Sequence, residues 1–126
     1  MKMAEERTGK AISKRSFPRE VKISIKASKA KKGENLVVLD LRGISSFTDY
    51  FVIMHGNSAR QNLALNENIE KELKKEKIMP LSVEGRKLAE WILMDYGSFI
   101  IHVFSEKARE YYSLEKLWGD AHKFSY

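Results

Sequence analysis

The stretch Ile44–Gln61, ISSFTDYFVIMHGNSARQ, collects the residue types of nucleophilic catalysis: Ser45, Ser46, Thr48, Asp49, His55 and Ser58. Acyl transfer by such groups needs a serine whose proton a histidine can take, with a carboxylate holding the imidazole in place. Three side chains of one chain can always converge in space. The local signature of an exposed nucleophile, a Gly-x-Ser-x-Gly elbow, is missing, because GNSARQ lacks the second glycine. A structural reading uses the same atoms: Ser45, Ser46 and Thr48 bond the loop backbone, Ser58 caps a helix, and His55 ends a strand.

HGNSAR following a strand is also similar to the glycine–serine turn of nucleotidyltransferases. Those enzymes hold divalent metal on clustered carboxylates, because the metal neutralises the triphosphate charge. No Asp-x-Asp pair follows here. Glu67, Glu70 and Glu72 are interleaved with Lys71, Lys74 and Lys75, the pattern of a solvated ion-pair surface. His55, His102 and His122 are far apart without metal-ligand spacing. There is no phosphate-binding P-loop or dinucleotide fingerprint, and the absence of cysteine excludes disulfides and thiolate metal sites. The sequence implies no catalytic residue, no cofactor and no metal.

The elements that would position these residues follow from periodicity. At 126 residues the chain suits one domain with a tail. We expect a flexible basic tail over 1–17, a folded domain over 18–121 and a loose C-terminal tail over 122–126. In PREVKISIKASKAKKG the alternation of Val21, Ile23, Ile25 and Ala27 fits a strand. Val21, Ile25 and Ser28 also fit a helix face, with Pro18 in the first turn, lysines at the far end and Gly33 as the stop, and we read the segment as a helix. NLVVLDL and DYFVIMH are buried strands. Ser58-Ala-Arg-Gln61 has capping-box spacing and opens a helix to about Lys77 that buries Ala59, Leu65, Ile69 and Leu73. A short strand over Pro80–Val83 comes next. EWILMD and SFIIHVF then flank Tyr96-Gly97 as a hairpin, and Ser105 caps a last helix through EKAREYYSLEKLW. The fold class is α/β: a mixed five-stranded sheet flanked by helices, with a right-handed crossover at the central helix.

Charge divides along the chain. The net +6 is the balance of +7 over residues 1–35 and −1 over residues 36–126. A basic arm of this kind keeps a protein soluble or touches phosphates without sequence preference. No apolar run reaches the roughly 18 residues of a membrane span. The N-terminus lacks the apolar core of a secretory signal, and its Glu5 and Glu6 argue against an organelle transit peptide. A cytoplasmic location without membrane contact is the expectation.

AEWILMDYGSF carries a different signal. Alternation puts Trp91, Leu93 and Asp95 on one face and Ile92 and Met94 on the other. Both faces are then apolar, so one packs on the core and the other is covered by a helix or by a partner. Tryptophan and tyrosine dominate binding hot spots, and pattern alone leaves Trp91 divided between the core and a contact.

DLRGISSFTDYFVI, GNSARQ, PLSVEG, AEWILMDYGSFIIHVF and REYYSLEKLWGDA, in that order, resemble the ribosomal silencing factor family, also called RsfS or Iojap-like proteins. The resemblance covers about Glu34 to Ala121; the N-terminal arm departs from it in length and lysine content. It implies a non-enzymatic repressor of translation that binds the large ribosomal subunit through its fourteenth protein and sterically blocks subunit joining. It also implies a nucleotidyltransferase-like fold without the catalytic carboxylates, and a helix over residues 20–32. By position, Trp91 is the leading contact residue, with Leu93, Asp95 and Tyr96 beside it and Glu84 of Val-Glu-Gly as a weaker candidate. A homodimer hiding the same sheet surface, and a weak ribosomal RNA contact through the basic tail, are compatible with this reading. Two other readings rest on the residues themselves: a nucleotidyltransferase-like enzyme, and a basic-armed RNA-binding module. On the family reading SSFTDY is scaffold and the working surface is the hairpin around Trp91.

Overall fold

The computed structural model describes residues 17–126, so all but the last residue of the expected basic tail lies outside the described residues. Phe17 itself belongs to the core: it is buried and packs edge-on against Tyr50 and Phe124, with ring centroids 5.7 and 5.2 Å away.

The ambiguous segment is a helix, α1 (Arg19–Ala30). Its buried residues Val21, Ser24, Ile25, Ala27 and Ser28 recur at helical spacing. The two buried serines donate their hydroxyls to the carbonyls of Glu20 (2.8 Å) and Ser24 (2.7 Å), four residues back, so no polar atom is stranded. Strands β1 (Glu34–Asp40) and β2 (Tyr50–Gly56) follow and pair antiparallel. At the end of β1 the fully buried Asp40 carboxylate receives Arg42 in bidentate fashion, Nε at 3.0 Å and an Nη at 2.8 Å, which makes its burial tolerable.

Helix α2 (Ala59–Lys75) starts as its capping box requires. Ser58 Oγ accepts the Gln61 N–H at 3.1 Å, and Gln61 Oε1 accepts the Asn57 N–H at 2.6 Å, one residue earlier than in the standard box. Gln61 Nε2 also donates to the carbonyls of Lys31 and Lys32, tying the start of α2 to the end of α1. Ala59, expected inside, is exposed. Ser58→Ala should lower stability by about 1 kcal/mol, measured as the shift in a urea unfolding midpoint; an unchanged midpoint would show that the cap is dispensable.

Strands β3 (Ser82–Glu84), β4 (Trp91–Asp95) and β5 (Phe99–Ser105) complete the expected set, β3 beginning two residues later than read from sequence. The expected last helix is two, α3 (Glu106–Tyr112) and α4 (Leu114–Leu117), broken at Ser113, whose φ of 44° is left-handed. The expected loose end is a sixth strand, β6 (His122–Ser125), antiparallel to β1. The sheet among the described residues is therefore six-stranded rather than five-stranded, in the order β3-β4-β5-β2-β1-β6. Its one parallel pair is β2 with β5, and the chain between them runs through α2, β3 and β4.

The sheet has a thick side and a thin side. On the first, α1 and α2 bury Val21, Ile25, Leu65, Ile69 and Leu73 against Val38, Val52, Met54, Ile92, Met94 and Ile101. On the second, α3 and α4 set Ala108 and Leu114 over Val37, Leu39, Phe51, Ile53 and Phe104. That cover thins toward β4 and β3. Val37, Leu39 and Ile53 are buried, whereas Trp91, Leu93 and Asp95 are half-buried and Ser82 and Glu84 are exposed.

Candidate partner-binding face

The serine, histidine and aspartate side chains of the opening stretch do not come together. Ser45 Oγ accepts the backbone N–H groups of Phe47 and Thr48, Thr48 donates its hydroxyl to the Gly97 carbonyl at 3.0 Å, and Ser58 caps α2. His55 is buried at the end of β2 with Nδ1 3.1 Å from Arg109 and Nε2 3.8 Å from Glu34. Arginine only donates, so His55 Nδ1 accepts. Arg109 in turn grips Glu115 through Nε and an Nη at 3.3 and 2.6 Å, fastening α3 to α4 and to the start of β1. A concavity of about 300 Å³ opens beside this network between Asn35, Glu106, Glu110 and Lys116. Ser113 lines it together with His55, but the Ser113 hydroxyl donates to the Glu110 carbonyl at 2.7 Å and His55 Nδ1 is engaged by Arg109. Among the described residues no three His, Cys, Asp or Glu side chains converge in the way a metal would require.

The hairpin residues lie where alternation put them. Trp91, Leu93 and Asp95 share the thin side, and Ile92 and Met94 are fully buried on the other. Register places Glu84 opposite Leu93 and Ser82 opposite Asp95, which extends the same face across β3. Asp95 Oδ1 accepts the Gly97 N–H at 2.8 Å and so shapes the hairpin turn. Tyr96 departs from expectation. One step further along the alternation, it turns to the thick side, is buried, and stacks on Phe99 at 4.8 Å. Burial, with Glu70 adding to it, holds its phenol well above the ordinary range. Tyr96 belongs to the core and presents no contact surface.

Trp91 is packed on one side and open on the other. Its ring lies 4.5 Å from Tyr112 at the end of α3 and 5.0 Å from Phe104 below, yet it is not fully covered. Its indole Nε1–H donates to His102 Nδ1 at 3.0 Å. Because an indole only donates, that contact fixes His102 as the neutral tautomer protonated at Nε2. His102 is 3% exposed, and burial drives its pKa down to about 3.

From Trp91 the aromatic surface continues. Phe51 lies 4.5 Å from His102, Trp118 lies 5.9 Å from Phe51, and Phe47 lies 6.2 Å from Trp118. At the other end Tyr111 abuts Tyr112 at 5.0 Å. Phe47 is 60% exposed and Tyr111 80%. Phe47 therefore corrects the reading of SSFTDY as scaffold alone: Ser45 and Thr48 hold the loop, and the loop holds Phe47 out on the face. Sequence reasoning also missed Tyr112, Trp118 and His102. The available signal was the aromatic surplus of YYSLEKLW, more than two short helices can bury.

The face is open and aromatic, with the Asp95 and Glu84 carboxylates at its β3–β4 border. Among the described residues no helix is long and apolar enough to cross a membrane.

A profile of the family described as ribosomal silencing factor during starvation, RsfS, matches residues 14–125. The chain is 43% identical over 101 residues to the ribosomal silencing factor RsfS of Bacillus subtilis strain 168, spanning 80% of this chain and 86% of that one. It is 33% identical over 91 residues to a Mus musculus protein named mitochondrial assembly of ribosomal large subunit protein 1, spanning 70% of this chain and 40% of that one. A crystal structure of a Chromobacterium violaceum protein matches with a TM-score of 0.77 and 32% identity, over 79% of this chain and 83% of the other. A profile match from before α1 to the last residue of β6, joined to an experimental structure of the same fold, places the chain in the ribosomal silencing factor family, RsfS.

Proposed function

We propose that this chain represses translation in the cytoplasm without catalysis, by binding the large ribosomal subunit through its fourteenth protein and occupying the surface that the small subunit needs. The observation that carries this reading is the aromatic face around Trp91, left open where α3 and α4 stop short of β4. The name of the murine relative, which assigns that protein to large-subunit assembly, supports the choice of subunit. Trp91 and Leu93 supply the apolar centre. Asp95 spends one carboxylate oxygen on its turn and offers the other to a basic residue of the partner, and Glu84 stands at the rim. We read the fold as a nucleotidyltransferase relative whose glycine–serine turn now only caps α2. The same face suits a homodimer in which two copies cover one another's aromatic residues, a state that competes with ribosome binding. A weak RNA contact through the basic tail fits its charge.

Co-sedimentation with purified large subunits tests this. Wild type should pellet with the subunit and reduce its joining to the small one. Phe47→Ala, which alters an exposed side chain, and Trp91→Ala, checked by circular dichroism for folding, should each weaken pelleting. For a buried hot-spot aromatic the loss is about 2 kcal/mol or more, roughly thirty-fold. Wild type that fails to pellet would refute the function; pelleting unchanged in both variants would refute the face.

A further inference from the structure

We infer that the helical layer, on the side of the sheet opposite the aromatic face, is a second contact surface and takes the phosphate backbone of RNA. That the polyanion is ribosomal rests on the target proposed above; the surface itself rests on charge and geometry.

Charge is sorted by layer. Residues 19–34 and 59–78, which hold α1, α2 and their ends, carry eleven Lys/Arg against six Asp/Glu. Residues 35–58 and 79–126, which hold the sheet and the thin side, carry seven against nine. The folded domain is thus basic on one side and slightly acidic on the other, independently of the tail.

Within the basic layer three of the acids on α2 and its end are already held by cations. Glu76 binds Arg19 at 2.7 Å, Glu72 binds Lys75 at 3.0 Å, and Glu67 binds Arg86 at 3.5 Å. Lys26, Lys31, Lys32, Lys71 and Lys74 are exposed and make no carboxylate contact among the described residues. Three of them, Lys26, Lys31 and Lys71, are gathered between the two helices. Lys26 and Lys31 of α1 and its end line a groove of about 510 Å³ against Asn68, Lys75 and the cation-paired Glu72 and Glu76, and an adjoining hollow joins Lys31 to Lys71 past the Arg86-paired Glu67. Two helices thus aim cations at one trough, an arrangement that tracks a phosphate chain rather than a single anion.

An anionic membrane is the rival polyanion. An in-plane helix binds a bilayer by sinking an apolar face into it. The apolar face of α1 is spent on the sheet, since Val21, Ile25 and Ala27 are buried. What remains outward is mostly charge, with only the partly buried Ile23 and the exposed Ala30 as apolar side chains in the groove, too little for a membrane wedge, which favours RNA.

The full chain is titrated by fluorescence anisotropy with a 20-nucleotide single-stranded RNA between 50 and 200 mM salt, and in parallel with phosphatidylserine vesicles. The comparison is with Lys26→Ala/Lys31→Ala/Lys71→Ala, three exposed lysines, with its thermal melt confirming the fold. Removing three phosphate contacts should weaken RNA binding about ten-fold at 100 mM salt and reduce the slope of log K against log salt by about 2. Phe47→Ala should leave RNA binding unchanged. The inference falls if wild type ignores RNA at 50 mM salt, if the triple variant binds as wild type does, if Phe47→Ala loses RNA equally, or if vesicles are preferred to RNA. Loss of subunit pelleting alone, with lysine-dependent RNA binding retained, would count against the proposed target and leave this surface standing.

Discussion

Gly85→Ala is expected to destabilise the protein by about 2–5 kcal/mol and to displace Trp91. Gly85 sits at φ +89°, a left-handed conformation that costs a residue with a Cβ about 1–2 kcal/mol. A Cβ there would also lie 1.9 Å from the Trp91 carbonyl oxygen, so the backbone leading into β4 must move, at an overpacking cost of about 1–3 kcal/mol. Gly97→Ala is the internal control. Gly97 has nearly the same φ, +90°, but its Cβ would meet only Leu81 Cδ1 at 3.5 Å, so only the conformational cost applies. Urea unfolding of both variants, followed by tryptophan fluorescence, separates the two effects. Equal losses would show that the close approach to Trp91 does not matter. A larger loss in Gly85→Ala, with weaker subunit binding in the molecules that remain folded, ties the turn to the face.

Acid should loosen the same face through His102. Its pKa is about 3 in the fold, below the ordinary 6.5, because burial penalises the imidazolium. The unfolded chain therefore binds one more proton than the native one between pH about 6.5 and about 3. Stability from this group is complete above 6.5 and falls by about 1.4 kcal/mol for each pH unit below it. Protonating Nδ1 also removes the acceptor for the Trp91 indole, so the cost appears where Trp91 sits. His102→Gln stays neutral and can still accept a hydrogen bond. Relative to wild type it should gain about 2 kcal/mol between pH 6.5 and 4.5 in urea unfolding free energy. Parallel stability curves for the two proteins over that range would show that other groups, carboxylates among them, carry the acid response.

Local chemistry determined much of this protein from sequence alone. NLVVLDL and DYFVIMH had to be buried strands, since each is a short apolar run between breakers. Ser58 and Gln61 had to start a helix. The lack of paired carboxylates beside the glycine–serine turn removed any motif for metal-dependent nucleotide chemistry. Parity along β4 was equally plain, with Trp91, Leu93 and Asp95 facing together.

Which parity stays open was decided elsewhere. Alternation states that two residues face opposite ways; it does not state what lies over each. The cover on the thin side comes from α3 and α4, and the left-handed turn at Ser113 steers α4 so that Leu114 reaches the core while β4 keeps its outer residues half-exposed. On the opposite side the α1–α2 layer took Tyr96 into the core beside Phe99, while Phe47 stayed on the surface. Tertiary packing settled α1 as a helix, because Val21, Ile23, Ile25 and Ala27 alternate as a strand would while Val21, Ile25 and Ser28 share a helix face, and packing against α2 and β1 chooses between them. HKFS has one apolar residue in four, too weak a pattern to announce a strand. Its backbone pairing with β1 and the seat of Phe124 on Phe17 make it one. Sequence determines what depends on neighbours in the chain; the face of this protein depends on neighbours in space.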